Sequence, residues 1–195
     1  FEKVLINDLI YSSTPNINSK GFVSKFNLLF KNVTTEGKNS NEKPNKFRSQ
    51  NYGSILYDIS YPLKKEGIDF DNFLSGKASL MYSPNKNKNI KNLDRKIDIK
   101  NIFNQNRLGL SDSVEGGQSL TIGGEYKITD KQNNSILKVG LASVLRDKNE
   151  EKLPTNSTIN NKSSDIIGSF NFNPNSNFNL DYNFSVDNDL NSTNY

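Results

Sequence analysis

Apolar and polar residues alternate with a period of two through several stretches of this chain, a pattern that predicts β-strands with one apolar and one polar face. In SLTIGGEYKIT, Leu120, Ile122, Gly124, Tyr126 and Ile128 fall on one face, and Ser119, Thr121, Gly123, Glu125, Lys127 and Thr129 on the other. FNLDYNFSV separates Phe178, Leu180, Tyr182, Phe184 and Val186 from Asn179, Asp181, Asn183 and Ser185. GFVSKFNLLFK sets Phe22, Phe26, Leu28 and Phe30 against Lys25, Asn27 and Lys31. SILYDISY sets Ile55, Tyr57, Ile59 and Tyr61 against Ser54, Asp58 and Ser60, and only Leu56 breaks the rule. Weaker alternation near residues 4–12, 77–83, 135–145 and 164–173 completes a set of about eight strands. The expected fold is all-β: an antiparallel up-and-down meander forming one segment over residues 1–195, with no second domain.

The spacing between strands carries a second signal. The connections at 13–21, 129–134 and 174–177 are short, 62–76 is intermediate, and 32–53, 83–117 and 146–163 are long, so long connections alternate with shorter ones. Outer-membrane barrels show this asymmetry, with short periplasmic turns and long outer loops, and their tilted strands need about 9–11 residues to span the membrane. The assignment puts Tyr11, Phe22, Tyr61, Tyr126, Phe172 and Phe178 near the short-turn ends, where an aromatic girdle belongs. It also turns Lys25, Asn27, Lys31, Asp58, Ser60, Lys77, Ser79, Glu125, Lys127, Asn179 and Asp181 toward a wet lumen. A soluble antiparallel sheet shares such alternation, so the polar face decides little by itself. The loop asymmetry favours a section of a large outer-membrane β-barrel.

Composition agrees. Only 33% of the 195 residues are hydrophobic and mean hydropathy is −0.71, poor material for a thick two-sided core. The chain runs from Phe1 to Tyr195 without a signal peptide, which leads us to expect an internal fragment of a larger barrel that would aggregate if made alone. The net charge of +4 is spread along the chain with no basic block, so nucleic acid is not an expected partner. Without Cys or His the chain has no disulfide, thiolate or imidazole chemistry, and no cofactor or metal is expected.

The acidic, glycine-rich LSDSVEGG resembles a pair of carboxylates for acid–base work, but a three-residue spacing is weak support for that and no imidazole exists to complete a triad. Calcium would need more oxygen ligands than this stretch supplies. Asp112 and Glu115 are better read as ordering the loop through backbone amides or Arg107, while Gly116 and Gly117 permit positive φ or close backbone approach where the loop joins its strand. We therefore expect no enzyme activity. SPNKNKNIKNLDRKIDIK reads as a solvated basic loop, with attraction of phosphorylated glycolipid head groups as the alternative.

NIFNQNRLGLSDSVEGGQSLTIGGEY, with YPLKK and ASLMYSPN before it and LPTNSTINNKSSDIIGSFNFNPNSNFNLDYNFSVDND after it, resembles the LptD family of lipopolysaccharide-assembly proteins, also called OstA or organic-solvent-tolerance proteins. The likeness spans most of residues 50–190 and centres on FNQNR, EGG and SDIIG in that order. It implies part of an outer-membrane translocon that delivers lipopolysaccharide to the outer leaflet of a diderm bacterium, enclosing an LptE-like plug lipoprotein. Periplasmic Lpt bridge proteins would engage a separate N-terminal domain. The positions matching the family pattern are Asn106, Arg107, Asp112, Glu115, Gly116, Gly117, Ser164, Asp165 and Gly168, expected to order loops and strand ends. Another outer-membrane barrel, a porin or receptor, and a soluble all-β adhesin or glycan-binding module are the alternatives.

Overall fold

A computed structural model of the chain describes residues 2–38, 46–175 and 177–187. These form one antiparallel sheet of β1 (Glu2–Ser12), β2 (Asn16–Ile17), β3 (Val23–Gly37), β4 (Arg48–Glu66), β5 (Phe70–Ser83), β6 (Gly117–Asp130), β7 (Ser135–Arg146), β8 (Ile166–Asn175) and β9 (Phe178–Val186). Spatial order follows chain order from β1 through β3 to β9, with the two-residue β2 pairing only with β3. The meander is up-and-down, and among the described residues β1 and β9 do not pair, so the sheet is open.

Several strands are longer than the alternation suggested. Residues 32–37 and 48–53 extend β3 and β4, and the connection expected over 62–76 contracts to a turn at 67–69, closed by the Gly67 amide donating to the Phe70 carbonyl at 3.0 Å. Backbone ladders need no apolar side chains, so polar ends such as Lys64–Lys65 remain strand. Residues 39–45 of the first long connection, Ser176 of the last turn and the stretch 188–195 lie outside the described residues.

Register fixes which side chains share a face, because directly paired residues point the same way. Phe26, Tyr57, Leu80, Leu120 and Leu145 form one row across five strands. Their neighbours Ile55, Ile122 and Leu141 share that face, and Leu80 (54%), Ile122 (48%) and Leu141 (45%) remain exposed, so no part of the described chain covers it. Toward the long-loop end the same face turns polar: the Asn32 amide donates to Ser49 Oγ at 3.0 Å and Asn51 Oδ1 at 2.7 Å. Tyr61, Tyr126 and Phe172 lie on the short-turn half of the apolar face, and Phe22 packs on Tyr61 at 4.7 Å and Phe178 on Phe172 at 6.2 Å between ring centres.

The opposite face carries all the residues expected to look inward. Lys25 pairs with Asp58, Ser60 with Lys77, Ser75 with Glu125 and Phe73 with Lys127, and the row continues through Lys138 and Asn171 to Asp181. Asn27, Lys31 and Asn179 share the parity of their strand neighbours on that face. This face is not bare. The connection 84–116 lies over its long-loop half, burying Ser79, Ser119 and Thr121 beneath it. Lys31 shares the face but is 4% exposed, its ammonium bonded to Asp8 and to the Ser111 carbonyl at 3.0 Å. It belongs to the dry half, and the expectation of a wet environment there is corrected.

Candidate functional site

The core lies between the polar face and its two long connections rather than between two sheets. Ile90, Ile97, Ile102, Leu108 and Leu110 of the 84–116 connection bury against Ala142 and Val144 of β7 and Ile167 of β8, with Leu153 and Ile159 from the 147–165 connection. Ile99 sits where a Cβ on Gly140 would collide with it, so β7 accepts the loop through the absence of a side chain. The basic segment read as solvated is therefore folded in: its charged residues face outward while Ile90 and Ile97 anchor it.

An ion cluster fastens this loop to the sheet. Arg107 Nε donates to Glu115 Oε2 at 2.9 Å and its Nη2 to Glu115 Oε1, while the same guanidinium reaches Ser119 Oγ at 2.8 Å and Thr121 Oγ1 at 3.0 Å on β6. Arg146, the last residue of β7, also donates to Glu115 Oε1 and reaches the Ile159 carbonyl at 3.0 Å. All three ionic side chains are almost fully buried. Burial pushes the Glu115 carboxyl up, and the two guanidiniums more than reverse this, holding it below the usual carboxylate range. One carboxylate thus ties the loop, β6, β7 and the 147–165 connection together.

Neighbouring residues complete the fastening. Asn106 acts as a backbone mimic, its Oδ1 accepting from the Leu110 amide at 2.8 Å and its Nδ2 donating to the Leu110 carbonyl at 2.9 Å. Asn87 Oδ1 accepts from the Gly116 amide at 2.7 Å and Asn87 Nδ2 donates to Glu150 at 2.9 Å. A side chain on Gly116 would run into the Asn85 carbonyl, and Gly117 has φ +93°, so the two glycines are needed for different reasons. In the later motif, Ser164 Oγ accepts from the Val144 amide at 2.9 Å. The buried Asp165 accepts from Thr158 Oγ1 at 2.6 Å and from Ser185 Oγ at 2.8 Å. Gly168 leaves room for the Phe184 ring.

Of the two cation partners open to it, Asp112 pairs with Lys88 at 2.6 Å at the loop surface, and Arg107 is taken by Glu115. Arg146 and Asn87 were not singled out from the sequence; Arg146 closes the polar face of SILKVGLASVLR, but only the β6–β7 register, which sets it opposite Ser119, brings it to Glu115. Glu115 is sealed from solvent and neutralised on both oxygens, which suits a structural tie and leaves no path for a substrate proton. No group of three or more potential metal ligands occurs among the described residues.

No curated protein matches the chain. The model of the LptD family, described as LPS transport system D, matches residues 11–195. With the family match running over nearly the whole length, on an antiparallel meander in which FNQNR, EGG and SDIIG come together around one loop, the chain belongs to the LptD family.

Proposed function

We propose that this chain is a section of the wall of an outer-membrane β-barrel that carries lipopolysaccharide to the outer leaflet. The observation that carries this reading is the two-sided sheet: one face exposes a continuous apolar band, the other is polar and partly filled by in-folded loops. From Ile55 to Leu63 the outward face of β4 is apolar over about 27 Å at roughly 3.4 Å per residue. At a tilt of about 40° that is roughly 20 Å of height, near the apolar band of such barrels. The open edges of β1 and β9 call for further strands, since an unpaired edge has no place in lipid. The polar face then lines the lumen, with Lys77, Glu125, Lys127, Asn179 and Asp181 in its open half and the 84–116 loop closing the outward half.

In this reading the chain makes and breaks no bond; it supplies an apolar exterior to lipid and a hydrated interior to the saccharide. Its partners are lipopolysaccharide, a plug lipoprotein of the LptE kind in the open half of the lumen, and periplasmic Lpt bridge proteins engaging a domain outside this segment. Depletion of the full-length protein should remove newly made lipopolysaccharide from the cell surface while its synthesis continues. Unchanged surface delivery in depleted cells, with slower uptake of small solutes instead, would favour a porin and defeat the proposal.

A further inference from the structure

A second feature lies at the long-loop end, apart from the Arg107–Glu115–Arg146 cluster. Between the ends of β3 and β4 and the start of the 84–116 connection is a cleft of about 590 Å³. One wall carries Thr35, Arg48, Gln50 and Tyr52, and the other Lys86 and Lys88. Arg48, Gln50 and Tyr52 succeed one another at every second residue of β4, so they point into the cleft from the polar face as a ladder with steps of about 7 Å.

The second wall is fixed in place. Asn85 donates to the Gly53 carbonyl at 2.8 Å and to Ser83 Oγ at 2.6 Å, Asn87 is held by Gly116 and Glu150, and Lys88 is held by Asp112. Among the described residues Asp112 is the only acid lining the cleft, and neither Arg48 nor Lys86 has a carboxylate partner there. The cleft therefore has a rigid frame, an excess of positive charge, an amide and a hydroxyl for hydrogen bonding, and a half-buried tyrosine ring. Guanidinium and ammonium groups select phosphate or carboxylate, amide and hydroxyl groups pair with sugar hydroxyls, and an aromatic ring offers an apolar body with a polar tip. A purely apolar ligand would leave these polar groups unmatched.

We infer that this cleft is a binding site for an anionic oligosaccharide, one bearing phosphate or carboxylate groups. The inference rests on the proposed orientation, in which the long-loop end opens to the exterior. The saccharide of the carried lipopolysaccharide and an acidic surface polysaccharide share the required chemistry.

The test is calorimetric titration of the full-length protein in detergent with three lipid-free probes: the phosphorylated oligosaccharide from deacylated lipopolysaccharide, its dephosphorylated counterpart, and a uronic-acid oligosaccharide. At least one anionic probe should bind, weaken as salt rises, and bind tenfold or more tightly than the neutral one. The double variant Arg48→Ala/Lys86→Ala should lose at least tenfold in affinity while retaining the heat-modifiable gel migration of a folded barrel. Preference between the two anionic probes identifies the source. No binding by either anionic probe, equal binding of the neutral one, or unchanged affinity in the double variant would overturn the inference. Surface delivery of lipopolysaccharide, measured separately in depleted cells, reports on the proposed function, so the two can fail independently.

Discussion

Replacing Glu115 by Gln keeps the shape of the loop clasp and removes the only charge that two buried guanidiniums share. Arg107 and Arg146 would remain beneath the loop, each nearly sealed from water, with a neutral amide in place of their common carboxylate. Breaking a buried ion pair by removing one partner costs about 3–5 kcal/mol, chiefly because the remaining charge is left uncompensated. At about 1.4 kcal/mol per tenfold, loop docking should weaken by roughly two to three and a half orders of magnitude. Hydrogen exchange on the full-length protein reads this directly. The Leu110 and Gly116 amides, bonded to Asn106 and Asn87, should lose protection by that factor, while amides in the middle of β5 and β6 should not. Asp112→Asn is the internal comparison, since its half-exposed pair with Lys88 is worth at most about 1 kcal/mol. Equal, small losses of protection in the two variants would refute the assignment of Glu115 as the fastening group.

Other outcomes follow from the same geometry. Because the Glu115 carboxyl is held below its ordinary value, its contribution is fully present above about pH 4.3 and is lost as pH falls through its lower folded value. Loop protection should therefore decline on acidification, and the Glu115→Gln profile should be flat. Gly117→Ala forces a side chain into a positive-φ conformation at a cost of about 1–3 kcal/mol. Gly116→Ala meets a backbone carbonyl that cannot swing aside. Both should lower the heat-modifiable fraction in membranes, Gly116→Ala more severely. Leu80→Arg, in the central row of the apolar face, should cost about 2–4 kcal/mol of assembly stability, whereas Lys127→Glu on the other face should leave assembled protein near wild-type amounts.

The strands were legible because their side chains obey a local period: Leu120, Ile122, Tyr126 and Ile128 declare a face within ten residues. The strand ends were less so. Asn32 and Thr34, or Lys64 and Lys65, are strand through ladder hydrogen bonds that leave no mark on the side-chain pattern. The in-folding of the 84–116 connection was hidden for a different reason. Ile90, Ile97, Ile102, Leu108 and Leu110 follow no single repeat, and the surface that buries them comes from β7 and β8, far along the chain. At the site, Arg107 and Glu115 could be paired from eight residues' separation, but the second cation could not. Arg146 joins them only after β6 and β7 take their register, and Asn87 only after the loop turns back to Gly116.

The claim that one face of this sheet meets lipid and the other water is open to a direct measurement. Spin labels placed singly at residues 119–128 of β6 in the full-length protein, embedded in membranes, with any cysteine outside this cysteine-free segment replaced, can be scored for collision with oxygen and with a water-soluble nickel complex. Oxygen accessibility should peak at Leu120, Ile122, Gly124, Tyr126 and Ile128, and fall at Ser119, Thr121, Gly123, Glu125 and Lys127, with a period of two. Collisions dominated by the nickel complex at both sets of positions, or no two-residue period, would contradict the account.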